Sequence, residues 1–151
     1  MSALEEETSI GVVDYGAGNL RNVLNALEML GVSGKLVKGP EDFDGVEQLI
    51  FPGVGAFGDC MSKLEARNLA DPLREWLRAE RPFFGICVGY QLLFEEREES
   101  PGRAGLGVLH GKVVRFPESE LKVPHMGWNA AELTAAEAPP WQGLGTHPYF
   151  Y

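Results

Sequence analysis

The 151-residue sequence has few cysteines, little positive charge and no long hydrophobic run. Its two cysteines, Cys60 and Cys87, are too few for a disulfide framework, which favours a reducing, cytoplasmic location. Aspartate and glutamate total 22 against 13 lysines and arginines. The resulting net charge of −9 argues against nucleic acid or an anionic membrane as a partner.

Two further classes of protein are disfavoured by missing features. No apolar run approaches the roughly 20 residues that a transmembrane helix needs, and the acidic start of the chain has no hydrophobic signal region. Cysteine and histidine do not cluster at the spacing of metal ligands, so no metal or other cofactor is expected.

Strand-like and helix-like patterns alternate through the first hundred residues. Apolar runs typical of buried strands stand at 10–14, 35–38, 48–51 and 83–86, and helical patterns at 20–30, 59–67 and 72–77. This alternation predicts a single α/β domain over 1–151, built on an open, mostly parallel sheet with helices on both faces. Residues 108–116 and 122–129 predict an added antiparallel, hairpin-like pair.

The first strand-to-helix turn contains Gly16 and Gly18, followed by Asn19 as a candidate N-cap. A dinucleotide-binding fingerprint requires a third glycine where Arg21 stands, so we interpret these glycines as a tight turn. Gly31 is expected to end the helix, because glycine readily adopts the conformation that follows a helix.

The segment Gly85-Ile-Cys-Val-Gly89 joins an apolar strand-like run to a helical run. Glycines two residues before and after a nucleophile permit an abrupt turn from strand to helix that exposes the nucleophile. We expect the helix N-terminus to favour the Cys87 thiolate and the Val88 amide to donate to an oxyanion. The alternative is that Cys87 is an inert cysteine in the core.

Two other segments have both a structural and a functional interpretation. Gly53-Val-Gly55 follows a predicted strand, where it forms either a simple turn or a backbone that approaches a ligand closely. Glu95, Glu96, Glu98 and Glu99 form an acidic run at the predicted end of the helix after Cys87. Such a run is usually a solvated face, although this end of a helix disfavours negative charge.

Several stretches together resemble the glutaminase subunits of imidazole glycerol phosphate synthase, which are class I glutamine amidotransferases of histidine biosynthesis. These stretches are Asp14-Tyr-Gly-Ala-Gly-Asn19, Pro52-Gly-Val-Gly-Ala-Phe57, Gly85-Ile-Cys-Val-Gly-Tyr-Gln-Leu-Leu-Phe94 and Lys122-Val-Pro-His-Met-Gly-Trp-Asn129. The likeness extends over nearly all residues from Ile10 onward. It implies the α/β, flavodoxin-like fold of class I amidotransferases.

The resemblance also implies roles for individual residues. Cys87 would attack the glutamine amide and form a glutamyl thioester, and Glu99 would bind the substrate amino group, with Glu98 as the alternative. The other implied site residues are Gly53, Val54, Gly55 and Val88 for the oxyanion hole and Gln91 for glutamine binding.

A partner is implied as well. Ammonia would pass to a TIM-barrel synthase (cyclase) subunit and be added to a phosphoribosyl substrate. The residues implied at that interface are Pro124, His125, Met126, Gly127, Trp128 and Asn129.

The sequence departs from the family in one respect. The family's catalytic His and Glu stand in a His-x-Pro-Glu run near the C-terminus, and these 151 residues contain no such run. We therefore expect a C-terminally truncated copy of the subunit. None of the three histidines, His110, His125 and His147, has the sequence context of the missing base.

Three functions are consistent with this pattern. The first is glutamine hydrolysis coupled to a synthase. The second is a catalytically incomplete module that keeps the fold and the partner surface. The third, a peptidase-like hydrolase with a cysteine elbow, is disfavoured by the segment 124–129.

Overall fold

The computed structural model describes residues 9–118, 123, 127–130 and 149–150. The chain divides into two compact units, one over 1–115 and the other over 116–151. The single domain expected over 1–151 stays a prediction.

The first unit is built on a parallel sheet of four strands, in the order β2-β1-β3-β4. The strands are β1 Ile10–Val13, β2 Gly34–Val37, β3 Gln48–Gly53 and β4 Phe83–Cys87. Each coincides with a predicted apolar run, so the mostly parallel α/β fold is confirmed.

Helices connect consecutive strands. They are α1 Leu20–Met29, α2 Phe57–Ala66, α3 Ala70–Arg78 and the single turn α4 Val88–Gln91. A 3₁₀ turn, Pro40–Phe43, lies between β2 and β3. Asn19 is the N-cap of α1 as predicted, because its side chain accepts from the Asn22 amide at 3.3 Å. Gly31, with φ of 74°, follows the last turn of that helix, which confirms the predicted stop.

Helices cover both faces of the sheet because successive strand residues point to opposite sides. Val12 lies on the α1 side, where a Cβ added at Gly34 would meet Leu24, Leu27 and Val12. Val13 lies on the other side, in the core cluster formed with α2 and α3. The α1 side is less completely covered, and an open groove of about 550 Å³ separates α1 from the ends of β3 and β4.

The main core lies between the sheet and helices α2 and α3. Phe51, Phe57, Met61, Leu64 and Leu73 are fully buried there. Burying such side chains stabilises a fold by roughly 1.5–3 kcal/mol each. Trp76 and Cys60 are also members of this core.

The chain after α4 differs from the helical run expected there. It forms β5, Phe94–Arg97, which pairs in parallel with β6, Leu109–Val113. The carbonyls of Leu92 and Leu93 accept from the amides of Leu106 and Val108, so they are not free to continue a helix. The acidic run therefore belongs to this strand and its turn, and the prediction that it ends a helix is wrong.

The second unit contains the two-residue strands β7 (Asn129–Ala130) and β8 (Tyr149–Phe150), which pair antiparallel. Most of the second half of the predicted hairpin, 122–129, lies outside the described residues. Within the described part of the chain, no helix is long and apolar enough to cross a membrane.

Asp42 allows a test of the fold by pH. The amides of Lys38 and Gly39 donate to its Oδ2 at 2.8 and 3.1 Å, and these bonds, led by that from Lys38, lower the pKa of Asp42. A lowered pKa contributes stability above the unfolded-state value of about 3.9. That contribution is lost as the pH falls through the folded-state pKa.

We expect Asp42→Asn to lower the melting temperature at neutral pH and to flatten its decline below about pH 4. The matched control is Asp44→Asn, which removes the same charge from a side chain with no hydrogen bond to any described residue. Thermal unfolding followed across this acid range measures both. Identical profiles for the two variants would contradict the role of Asp42.

Candidate active site

Cys87 stands at the junction of β4 and α4, in a conformation that non-glycine residues rarely adopt. Its φ is 54° and its ψ is −119°, and its side chain is exposed. Backbone strain of this kind costs about 1–3 kcal/mol and occurs mainly at functional sites. The exposed thiol contradicts the interpretation of Cys87 as an inert cysteine in the core.

The two glycines around Cys87 are required by close backbone contacts. A Cβ at Gly89 would lie 1.9 Å from the carbonyl oxygen of Phe51, and a Cβ at Gly85 would lie 2.9 Å from the Cα of Tyr90. Neither contact can be relieved by moving a flexible side chain, because both involve backbone atoms. The predicted reason for glycine at these positions is confirmed.

The predicted oxyanion segment lies directly beside the nucleophile. Gly53 is the register partner of Cys87 where β3 and β4 end. A Cβ at Gly53 would stand 2.4 Å from the Gly89 amide nitrogen, so the two backbones touch. Val54 is exposed, and Gly55 adopts a φ of 105° with open space around it. The structure thus brings these residues to the Cys87 elbow, and their oxyanion role stays a prediction.

Tyr15 lies behind this segment, and no sequence signal pointed to it. It is 1% exposed, and its hydroxyl is 2.9 Å from the position of a Cβ on Gly53. The hydroxyl has no hydrogen-bond partner among the described residues. The neighbouring Cys60 thiol donates instead to the Val54 carbonyl, at 3.5 Å. Burial, with Cys60 as a smaller cause, raises the pKa of Tyr15, so the phenol is neutral.

Helix α4 is shorter than the sequence predicts. It spans only Val88–Gln91, and the Leu93 amide already donates to Tyr90 in a tighter turn. The segment after Cys87 is therefore a single helical turn, and the effect expected of its N-terminus on Cys87 stays a prediction. Val88 is buried at the first position of this turn.

The two residues predicted to bind glutamine are joined by an arginine. Arg97 Nη1 donates to Gln91 Oε1 at 2.7 Å, and Arg97 Nη2 forms an ion pair with Glu99 Oε2. Glu98 is engaged elsewhere, because its Oε2 accepts from the Arg115 amide at 2.9 Å. Both carboxylates are thus engaged by other groups, and the choice between Glu98 and Glu99 stays a prediction.

His110 is highly exposed on β6, and its Nδ1 lies 3.1 Å from Glu95 Oε1. The hydrogen bond from the Gly111 amide and, secondarily, that with His110 lower the pKa of Glu95. These contacts join Glu95 on β5 to His110 and Gly111 on β6. The other two histidines, His125 and His147, lie outside the described residues.

The predicted partner interface falls in the second unit. Pro124, His125 and Met126 are outside the described residues, whereas Gly127 and Trp128 are exposed and Asn129 begins β7. Among the residues that the structure does describe, no three His, Cys, Asp or Glu side chains approach closely enough to hold a metal ion.

The elbow geometry can be tested by adding one methyl group. We expect Gly89→Ala to lower the free energy of unfolding by about 1–3 kcal/mol or to prevent folding, because the new Cβ would overlap the Phe51 carbonyl. Gly58→Ala is the control, since its Cβ would meet only movable side chains, with Ser100 Oγ at 3.3 Å and Arg103 Cγ at 3.9 Å. Urea unfolding measures both. Equal stability of Gly89→Ala and the parent would contradict the close contact.

Comparison with known proteins identifies the family. Residues 11–142 match the family model for class-I glutamine amidotransferases. The chain is 45% identical over 142 residues to the imidazole glycerol phosphate synthase subunit HisH of Rhodopirellula baltica, covering 93% of the chain and 69% of that protein. The HisH subunit of Nostoc punctiforme is 41% identical over 94% of the chain and 67% of its own length.

Two further similarities extend this result. The imidazole glycerol phosphate synthase hisHF of Schizosaccharomyces pombe is 39% identical over 94% of the chain, which covers 26% of that longer protein. A crystal structure of a glutamine amidotransferase superposes with a TM-score of 0.61 at 30% identity, covering 70% of the chain and 56% of that structure.

The chain spans about two thirds of the length of the HisH relatives. The matched residues include the whole Cys87 elbow and the segment around Gly53. The chain therefore belongs to the class I glutamine amidotransferases, and within them to the family of HisH subunits of imidazole glycerol phosphate synthase.

Proposed function

We propose that the chain supplies the nucleophile and the glutamine-binding residues of a glutaminase that feeds ammonia to a synthase in histidine biosynthesis. The observation that carries this proposal is the strained, exposed Cys87 at the strand-to-helix elbow, with Gly53 as its neighbour across the sheet. The family membership supplies the reaction class.

The chemistry begins at the Cys87 sulfur. Cys87 attacks the side-chain carboxamide carbon of glutamine through its sulfur, and a C–S bond forms. The C–N bond breaks, and the proton given up by the Cys87 thiol is added to the nitrogen, which leaves as ammonia. Water then hydrolyses the thioester to glutamate and frees the thiol. Backbone amides of the 53–55 segment and of Val88 are the donors proposed for the oxyanion, because both adjoin the elbow.

Glutamine is proposed to bind between Gln91 and Glu99. The first lies one helical turn after the nucleophile, and the second carries the negative charge that suits an α-ammonium group. Glu98 is the alternative; its Oε2 accepts from the Arg115 amide, whereas Glu99 is linked through Arg97 to Gln91.

We propose that the partner is a TIM-barrel synthase (cyclase) subunit, which forms a heterodimer with the glutaminase. The partner would receive ammonia through a channel, and the assembled synthase would act as a lyase. The segment 124–129 is proposed as part of the contact surface. The names of the curated relatives, which are subunits of one synthase, support this proposal. A cytoplasmic location is proposed with it, because the sequence suits a reducing compartment.

Labelling of Cys87 tests the glutamine site. We expect the diazoketone analogue of glutamine to alkylate Cys87 with saturable kinetics and free glutamine to slow the reaction. Cys60 should react at least about tenfold more slowly with any alkylating agent, because it is buried. Mass spectrometry of cysteine-containing peptides over time measures both rates.

Cys87→Ala is the control for analogue labelling, and iodoacetamide is the control reagent that lacks an amino-acid head group. Equal labelling of both cysteines by iodoacetamide would contradict the exposed elbow. A linear, unsaturable dependence on the analogue concentration would contradict the glutamine site.

Glutamate release tests turnover. General-base catalysis contributes about 10²–10⁴-fold in rate, and these 151 residues contain no His-x-Pro-Glu run to supply the base. We expect a protein of these 151 residues to release glutamate only near background, even with a synthase subunit added. A version extended by the His-x-Pro-Glu segment of a HisH relative should be active.

The blank for the turnover assay is Cys87→Ala in each form. Robust, Cys87-dependent release by the 151-residue form would contradict this expectation. His110, His125 and His147 would then be replaced one at a time to find the base.

A further inference from the structure

Arg97 is the one described residue that contacts both side chains proposed to bind glutamine. It ends strand β5, is only 20% exposed, and reaches Gln91 on α4 and Glu99 in the turn after the strand. Each contact uses a different nitrogen of the same guanidinium group. Because the guanidinium is a rigid planar fork, it fixes the positions of both partners relative to each other.

The chemistry of the guanidinium also fixes which atoms remain for a ligand. Arginine donates hydrogen bonds and accepts none, so Gln91 must turn its carbonyl oxygen toward Arg97 and leave its amide hydrogens as donors. Glu99 uses Oε2 for the ion pair and keeps Oε1 as an acceptor. The result is a donor at Gln91 and an acceptor at Glu99.

This arrangement matches the head group of a free amino acid, in which a carboxylate accepts hydrogen bonds and an ammonium group donates them. We propose that Arg97 is a positioning residue that holds Gln91 and Glu99 in the donor–acceptor arrangement selective for a zwitterionic α-amino acid. This inference rests on the proposed function, because it takes that site to be the glutamine site.

Neighbouring charges make the arginine necessary. Arg97 is the only basic residue between Phe94 and Ser100, in a run that contains four glutamates. Two of these glutamates, Glu95 and Glu98, are held by backbone amides beyond β5. Without Arg97, Glu99 would face like charges without a counter-ion and would turn toward solvent.

The test separates binding from reactivity. Cys87 is alkylated by the diazoketone analogue of glutamine, by its N-acetyl derivative, which lacks the ammonium charge, and by iodoacetamide, which lacks the whole head group. We expect Arg97→Ala to raise the half-saturation concentration of the analogue about tenfold or more, as expected for losing hydrogen bonds to charged groups. The maximal rate and the iodoacetamide rate should change less than about twofold.

Two variants complete the experiment. Arg97→Lys keeps the positive charge but lacks the planar guanidinium. We expect an intermediate half-saturation concentration, because lysine cannot hold both partners in the same geometry. This variant replaces Arg97→Ala in the test if Arg97→Ala fails to fold. Arg103→Ala is the matched control, since it removes another ion-paired arginine, which contacts Glu65 and Ser62 on α2. It should leave all analogue kinetics unchanged. The N-acetyl derivative should react weakly with the parent, and Arg97→Ala should affect it less than the analogue, because only the carboxylate contact at Gln91 remains to be lost.

Each other outcome is decisive. An unchanged half-saturation concentration in Arg97→Ala, or a lower one, would overturn the positioning role and leave the proposed function standing. A parallel fall in the iodoacetamide rate would also overturn it, because Arg97 would then act only through the fold. Unsaturable labelling of the parent would overturn both the positioning role and the glutamine site.

Discussion

The contact between the backbones of β3 and α4 is the constraint on which the site depends. Gly89 has no room for a Cβ because the Phe51 carbonyl lies where that atom would stand, and Gly53, two residues further along the same strand, contacts the Gly89 amide. This approach lets α4 begin within one residue of the end of β4. The strain at Cys87 follows, since the chain must reverse direction there with a positive φ.

The same constraint brings the proposed oxyanion segment to the nucleophile. The β3–β4 register pairs Gly53 with Cys87, so the segment that leaves β3 begins beside the Cys87 backbone. Tyr15 and Cys60 fill the space behind it, and the Cys60 thiol donates to the Val54 carbonyl.

The chain after α4 shows why pattern alone was insufficient. Leu92, Leu93 and Phe94 continue an apolar helical pattern, yet the helix stops because residues 105–109 return and bind their carbonyls. Gly105 permits this return, since a Cβ there would lie 2.1 Å from the Phe94 carbonyl oxygen. The four glutamates consequently belong to a strand and its turn, where three of them hold amides or an arginine.

The sequence by itself determined the four parallel strands, the helices between them, the cap at Asn19 and the glycine-flanked elbow at Cys87. These features follow from local periodicity and from backbone conformations that only glycine adopts easily, so neighbouring residues suffice to predict them. Only the tertiary structure decided that Gly53 faces Cys87, that Tyr15 lies behind it, and that Arg97 joins Gln91 to Glu99. Such contacts depend on strand register and on where the chain returns, which sequence spacing does not encode.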